Sequence, residues 1–324
     1  MSFNILVVKG LTLPVVTEQN LADIQAAAGP DSTVRVVERV RDAVPLAADV
    51  DVVLGVMPKA LLDATPKLRW VHATASGVDS FMYPEFVDSD VILTGEKGLV
   101  GGHLADTGFG LLLALTRQIA TALRLGPEGW NRREDMRMKE IELEGMTMGI
   151  VGFGGTGRAV AKRALAFGMR NIAMDQHPAT PSDGVDEVWG PDGLDRVLRE
   201  SDVVAVCCPL APETRHLFDD DAFARMKPGA IIMNVTRGEI INGDALVRAL
   251  QSGHLGGAAL DVAPAEPLPA EHPLWSFDNV AMTPHTAGAS QLRAPRNIAR
   301  FCENLVRMQN GQDLVGVVDK QLGY

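Results

Sequence analysis

Short apolar runs alternate with segments of helical spacing along the whole chain, the pattern of a parallel α/β fold. In the first hundred residues the runs fall near Ile5–Val8, Val34–Val37, Val52–Val56, Trp70–Ala73 and Val91–Leu93. Helix-like stretches lie between them, at Leu21–Ala28 and around Ala60–Leu62. A long amphipathic stretch follows from about Leu104 to Leu125, and about 20 residues at 1.5 Å each are enough to bridge two domains. A polar segment rich in Arg and Glu, Glu128 to Glu144, leads into a second series of runs. It opens with Met148-Gly149-Ile150-Val151 and continues near Ile172–Met174, Val203–Cys207, Ile231–Asn234, Ala258–Leu260 and Val280–Met282. Helices fit between these at Arg158–Phe167, Gly193–Glu200, Asp219–Met226 and Gly243–Ser252, the last stopped by Gly253. A final helix places Ile298, Phe301, Cys302, Leu305 and Val306 at helical spacing.

The length, 324 residues, suits about two domains, each with its own core. The pattern predicts two doubly wound α/β domains with a cleft between them. The net charge of −11 repels phosphate and argues against nucleic acid and anionic membranes. No apolar run is long enough to span a bilayer. The 3 cysteines, Cys207, Cys208 and Cys302, have no metal-like spacing, and an odd count gives no disulfide framework. Met1 leads straight into the first apolar run with no basic segment or cleavage site, so a cytoplasmic protein without a metal is expected.

Gly152-Phe153-Gly154-Gly155-Thr156-Gly157 matches G-x-G-x-x-G, placed after an apolar strand and before a helix pattern. Gly152 permits the tight turn, Gly154 lets backbone approach a pyrophosphate, and Gly157 lets helix and strand pack closely. The next strand ends in Asp175, where a carboxylate hydrogen-bonds the adenosine ribose and repels a 2′-phosphate. Gln176 and His177 follow, with no arginine to receive that phosphate. NAD is the expected cofactor.

Four later segments carry polar residues where strand ends meet a cofactor. They are Asn234-Val235-Thr236-Arg237-Gly238, Leu260-Asp261-Val262, Ala265-Glu266-Pro267-Leu268-Pro269 and Thr283-Pro284-His285-Thr286-Ala287-Gly288. A guanidinium fits a carboxylate bidentately. A histidine held by a carboxylate is a proton donor.

With these segments in place, the chain resembles a D-isomer-specific 2-hydroxyacid dehydrogenase. Leu143 to Gly154 is similar to that family's lead into its NAD loop. So are Cys208-Pro209-Leu210-Ala211-Pro212-Glu213-Thr214-Arg215 and Met226-Lys227-Pro228-Gly229-Ala230. Ala75-Ser76-Gly77-Val78-Asp79 resembles the family's loop for the substrate carboxylate. The resemblance implies two Rossmann- or flavodoxin-like domains. One is a substrate-binding domain, 1–100 plus 289–324, and the other an NAD-binding domain, 101–288. It makes Arg237, Glu266 and His285 the catalytic residues. Arg237 binds and polarises a 2-keto acid, and His285, kept protonated by Glu266, gives the proton. Ser76 and Gly77 hold the substrate carboxylate, together with Arg237 and His285. The cofactor set it implies is Gly152, Gly154, Gly155, Thr156, Gly157, Asp175, Cys208, Pro209, Thr214, Val235, Thr236, Arg237, Asp261, His285 and Gly288, with Asp261 on the nicotinamide side.

Three departures stand out: Thr156 where the family has a bulky aliphatic, Ala263-Pro264-Ala265 where it often has an aromatic, and Asp106 where it has Glu. Glu266 argues against the formate dehydrogenase branch, which carries Gln. An NAD-sensing corepressor of the same fold is the alternative from another class. A hydrolase or amino-acid dehydrogenase would want a cleft Lys or Cys, and no motif supplies one. The apolar stretch from Leu104 has more apolar sides than one domain covers, so a homodimer is expected. The residues do not name the acid or the direction in the cell.

Overall fold

The computed structural model describes residues 2–177 and 179–324. Met1, which opens the N-terminal stretch read above, and Pro178 lie outside the described residues. The chain begins β1 (Asn4–Val8), α1 (Glu18–Ala28), β2 (Thr33–Val37) and α2 (Val40–Ala43). It continues through β3 (Val52–Gly55), α3 (Lys59–Ala64), β4 (Trp70–Ala73), α4 (Pro84–Val87) and β5 (Ile92–Thr94). Three helices come next: α5 (Gly101–Thr116), α6 (Ile119–Leu125) and α7 (Arg133–Arg137). Then come β6 (Thr147–Val151), α8 (Gly155–Ala166), β7 (Arg170–Met174), β8 (Val188–Trp189), α9 (Leu194–Glu200) and β9 (Val203–Val206). The rest is α10 (Asp220–Arg225), β10 (Ile231–Asn234), α11 (Gly243–Gln251), β11 (Gly257–Leu260), β12 (Val280–Met282) and α12 (Arg293–Gln309).

These elements form two compact units, Met1–Val100 with Ala289–Tyr324, and Gly101–Gly288. In the first, five parallel strands are ordered β2-β1-β3-β4-β5. Successive residues along each strand serve opposite faces, as a two-residue period requires. Leu6, Val8, Val53 and Val71 join one core; Ile5, Val7, Val52 and Trp70 join the other. That second core is closed by Ile24 of α1 and by Ile298, Phe301 and Leu305 of α12. Phe301 stacks on Trp70 with ring centroids 4.9 Å apart.

In the second unit seven parallel strands are ordered β12-β11-β10-β9-β6-β7-β8. The chain runs outward from β6 in one direction, then returns to its other side at β9. That reversal parts the loops after β6 and β9, and in such sheets ligands bind beside the carboxyl ends at this point.

The structure departs from the sequence pattern in four places. The stretch from Leu104 to Leu125 is two helices, because the chain breaks after Thr116 and Gln118 sits at φ +54. The first of them starts at Gly101, three residues early. The two-residue strand β8 carries too little apolar sequence to stand out. On α12, Val306 is 44% exposed and lies off the buried face. Met57 and Trp70 are both buried in the first unit's core, so they pack. Among the described residues, no helix is long and apolar enough to cross a membrane.

Candidate active site

The glycine string behaves as its spacing dictates. Gly152 takes φ +97, and a Cβ there would lie 2.5 Å from the Cys208 backbone nitrogen. A Cβ on Gly157 would strike the Gly152 carbonyl at 2.1 Å, so α8 can leave β6 only if this residue has no side chain. Nothing lies within 4 Å of a Cβ on Gly154, leaving open space above the loop at the N-terminus of α8. Gly155 and Thr156 form that first helical turn, whose N–H groups have no intrahelical partner. The loop thus suits a pyrophosphate.

Asp175 follows β7 and reaches the same loop. Its Oδ2 accepts from the Phe153 N–H at 2.6 Å and its Oδ1 from the His177 N–H at 2.9 Å. Cys208 lies beneath, and burial pushes its thiol up to about 12. Such a thiol packs and does not react at neutral pH. Thr214 closes its own turn, donating from Oγ1 to the Pro209 carbonyl at 2.7 Å and accepting from the Ala211 N–H at 2.8 Å.

The residues after β10, β11 and β12 are tied to one another. Fully buried Asn234 accepts from the Thr236 N–H and Oγ1–H through Oδ1 at 3.0 and 3.1 Å, and donates from Nδ2 to the Arg237 carbonyl at 2.8 Å. Val235 is buried inside this turn, and the Arg237 side chain donates from Nη1 to the Thr236 carbonyl at 2.9 Å. A Cβ on Gly238 would lie 1.7 Å from the Ala263 carbonyl oxygen, so the Arg237–Gly238 turn rests directly on the segment leading to Glu266. Glu266 Oε1 accepts from the Ala263 N–H at 3.0 Å, and Oε2 accepts from Nδ1 of His285 at 2.7 Å. With Nδ1 engaged, Nε2 is the ring atom left to exchange a proton.

His285 occupies the left-handed region at φ +53, a conformation that costs roughly 1–2 kcal/mol in a residue with a Cβ. Asp261 holds it there. Its carbonyl accepts from the His285 N–H at 2.8 Å. Its carboxylate, only 1% exposed, accepts from Thr283 Oγ1, the Thr286 N–H and the Ala287 N–H. Both oxygens therefore brace the turn carrying His285. Gly288 ends this segment and the second unit.

Residues 109–287, more than half of the chain, match the family model described as D-isomer specific 2-hydroxyacid dehydrogenase, NAD binding domain. The chain belongs to this family. It is 34% identical to a glyoxylate reductase of Korarchaeum cryptofilum over 305 residues, 93% of this chain and 90% of that one. It is 35% identical to a hydroxypyruvate reductase of Thermotoga maritima over 266 residues, 81% and 80% of the two chains. A D-isomer specific 2-hydroxyacid dehydrogenase from Xanthobacter autotrophicus Py2, solved with NADPH and MES, superposes with a TM-score of 0.82 at 28% identity, covering 99% of this chain and 100% of that one. Like the rest of the 2-hydroxyacid dehydrogenases, this chain is an oxidoreductase acting on CH–OH donors and, in reverse, on 2-keto acids, with a nicotinamide cofactor.

Two expected residues lie in the other unit. Ser76 is exposed and Gly77 half-buried in the loop after β4, at the carboxyl edge of the first sheet. Among the family departures, Asp106 lies within α5 and pairs with Arg163 of α8 at 2.7 Å. Asn234 was missed as a functional position. Its signal was present: an Asn whose side chain reaches the N–H two residues on makes an Asx turn. No group of three or more His, Cys, Asp or Glu among the described residues is arranged to hold a metal.

Proposed function

We propose that the chain reduces a small 2-keto acid to the D-2-hydroxy acid with NADH, His285 giving the proton. The bound nicotinamide supplies the hydride. Arg237 takes the substrate carboxylate and polarises the keto group, and a guanidinium already placed by its turn costs little reorganisation. Ser76 and Gly77 offer backbone amides to that carboxylate. Glu266 orients the His285 ring, so that Nε2–H can neutralise the alkoxide as it develops. The 2.7 Å bond between His285 and Glu266 carries this reading, because it leaves one ring nitrogen exposed for the substrate. The names of the curated relatives support glyoxylate and hydroxypyruvate as first substrates. They also make a regulator of the same fold the weaker reading.

Asp175 supports NADH over NADPH: a carboxylate beside the ribose repels a 2′-phosphate, although a structural neighbour carries NADPH. Initial rates with glyoxylate, hydroxypyruvate, phenylpyruvate and branched 2-keto acids, each with both cofactors, test the whole reading. The expected result is turnover of the small acids, with NADH favoured at least ~10-fold, equivalent to about 1.4 kcal/mol. No turnover on any of these acids would overturn it. We also propose a cytoplasmic homodimer built on α5 and α6, where Ile119 and Leu123 are exposed. A light-scattering mass near that of one 34.7 kDa chain would refute the dimer.

A further inference from the structure

Gly101 is the first residue of the second unit and of α5. A Cβ built on it would lie 2.3 Å from the Gly155 carbonyl oxygen, 2.7 Å from the Gly155 carbonyl carbon and 3.1 Å from the Thr156 nitrogen. These three atoms are one peptide group, in the first turn of α8, so they cannot swing aside as the tip of a side chain can. The same peptide carries the Thr156 N–H at the positive end of that helix.

The opposing helix is fixed as well. Arg163 of α8 donates from Nη2 to the Gly102 carbonyl at 2.9 Å, and from Nε and Nη2 to Asp106 Oδ1 at 2.8 and 2.7 Å. Further along α5, a Cβ on Gly108 would meet Met233 Sδ at 2.8 Å, so the helix is seated closely there too. The neighbouring glycine provides the contrast: a Cβ on Gly102 would meet only Arg163 Nη2, at 4.0 Å.

We propose that Gly101 is a positioning residue for the cofactor, holding the Gly155–Thr156 peptide where its N–H meets the pyrophosphate. The proposal rests on the cofactor reading above. Because α5 is clamped to α8, a side chain at position 101 displaces the phosphate loop. Cofactor affinity then suffers, while Arg237, Glu266 and His285, which follow other strands, keep their places.

The test is fluorescence titration of NADH into the full chain, with kcat measured at saturating NADH. Gly101→Ala should raise the Kd for NADH at least ~10-fold while kcat stays within about threefold, and Gly102→Ala should leave Kd within about twofold. If Gly101→Ala does not fold, Arg163→Gln replaces it, since it releases the first turn of α5 without adding an atom. That variant should raise Kd about threefold with the apo melting curve still cooperative. An unchanged Kd in whichever of the two variants is folded overturns the proposal, as does a fall in kcat with Kd intact. Wild-type chain that binds neither NADH nor NADPH overturns the cofactor reading and this proposal together, whereas wild-type binding matched by Gly101→Ala overturns this proposal alone.

Discussion

At the scale of single residues, His285 is held by both its backbone N–H and its ring. Its left-handed backbone persists because Asp261 gathers the His285 N–H, the two N–H groups after it and the Thr283 hydroxyl before it. Replacing His285 by Ala should lower turnover by ~10²–10⁴-fold, the range for a lost general acid, with NADH affinity little changed. Steady-state rates and NADH titration check this together, and near-normal turnover at pH 7 would remove the proton donor from the mechanism. Reduction consumes a proton and oxidation releases one. The reductive rate should therefore fall as pH rises, and the oxidative rate should climb. Glu266→Gln keeps the shape but removes the carboxylate held against Nδ1 of His285, so the pH profile of the reductive rate should move. A profile that does not move separates Glu266 from the proton transfer. Asp175→Ala should narrow the preference for NADH over NADPH, chiefly through affinity, as paired titrations of the two cofactors would show.

Elements were legible in the sequence where their apolar period was unbroken. β1, β3, β4, β6, β9 and β10 are buried on both faces, so they read as short continuous runs. The break after Thr116 was hidden because Gln118 carries no sign of its left-handed backbone, unlike the glycines at such positions. Within the site, Arg237, Glu266 and His285 could be named from their segments, whereas the bracing by Asp261 and Asn234 depends on which backbone groups the folded turns bring near. One element-level feature was not visible at all. Glu96, two residues past β5, has a fully buried side chain that accepts from Arg293 at the start of α12 and from Nδ2 of Asn297 at 3.2 Å. The two partners are 197 residues apart in sequence. Glu96→Ala removes the buried carboxylate to which Arg293 and Asn297 both donate, and should cost about 1–3 kcal/mol. A urea midpoint close to that of wild type would show that water takes the place of the lost carboxylate.

For the whole molecule, acid is the condition to which the first unit is most exposed. His72 of β4 is completely buried, with Nδ1 2.7 Å from Thr94 Oγ1. Burial, aided by the charge of Arg300, pulls its pKa down to about 3. The unfolded chain takes up that proton near 6.5 and the native state only near 3, so stability present above 6.5 drains away as pH falls between those values. The loss should reach about 2 kcal/mol by pH 5, and His72→Asn should flatten this part of the curve whatever it does to stability at neutral pH. Urea denaturation at pH 7 and pH 5 on both proteins would decide it.

The order of the segments along the chain has a consequence for synthesis. The second unit is continuous, whereas the first needs Ile298, Phe301 and Leu305 to cover a sheet made from the first hundred residues. At roughly 5–20 residues per second, the ribosome spends about 10–40 s on the intervening unit while that sheet waits with one face covered only in part, by α1. During this interval a nascent chain should be most dependent on chaperones, and the cofactor-binding unit should reach its native form before the unit that contains the N-terminus.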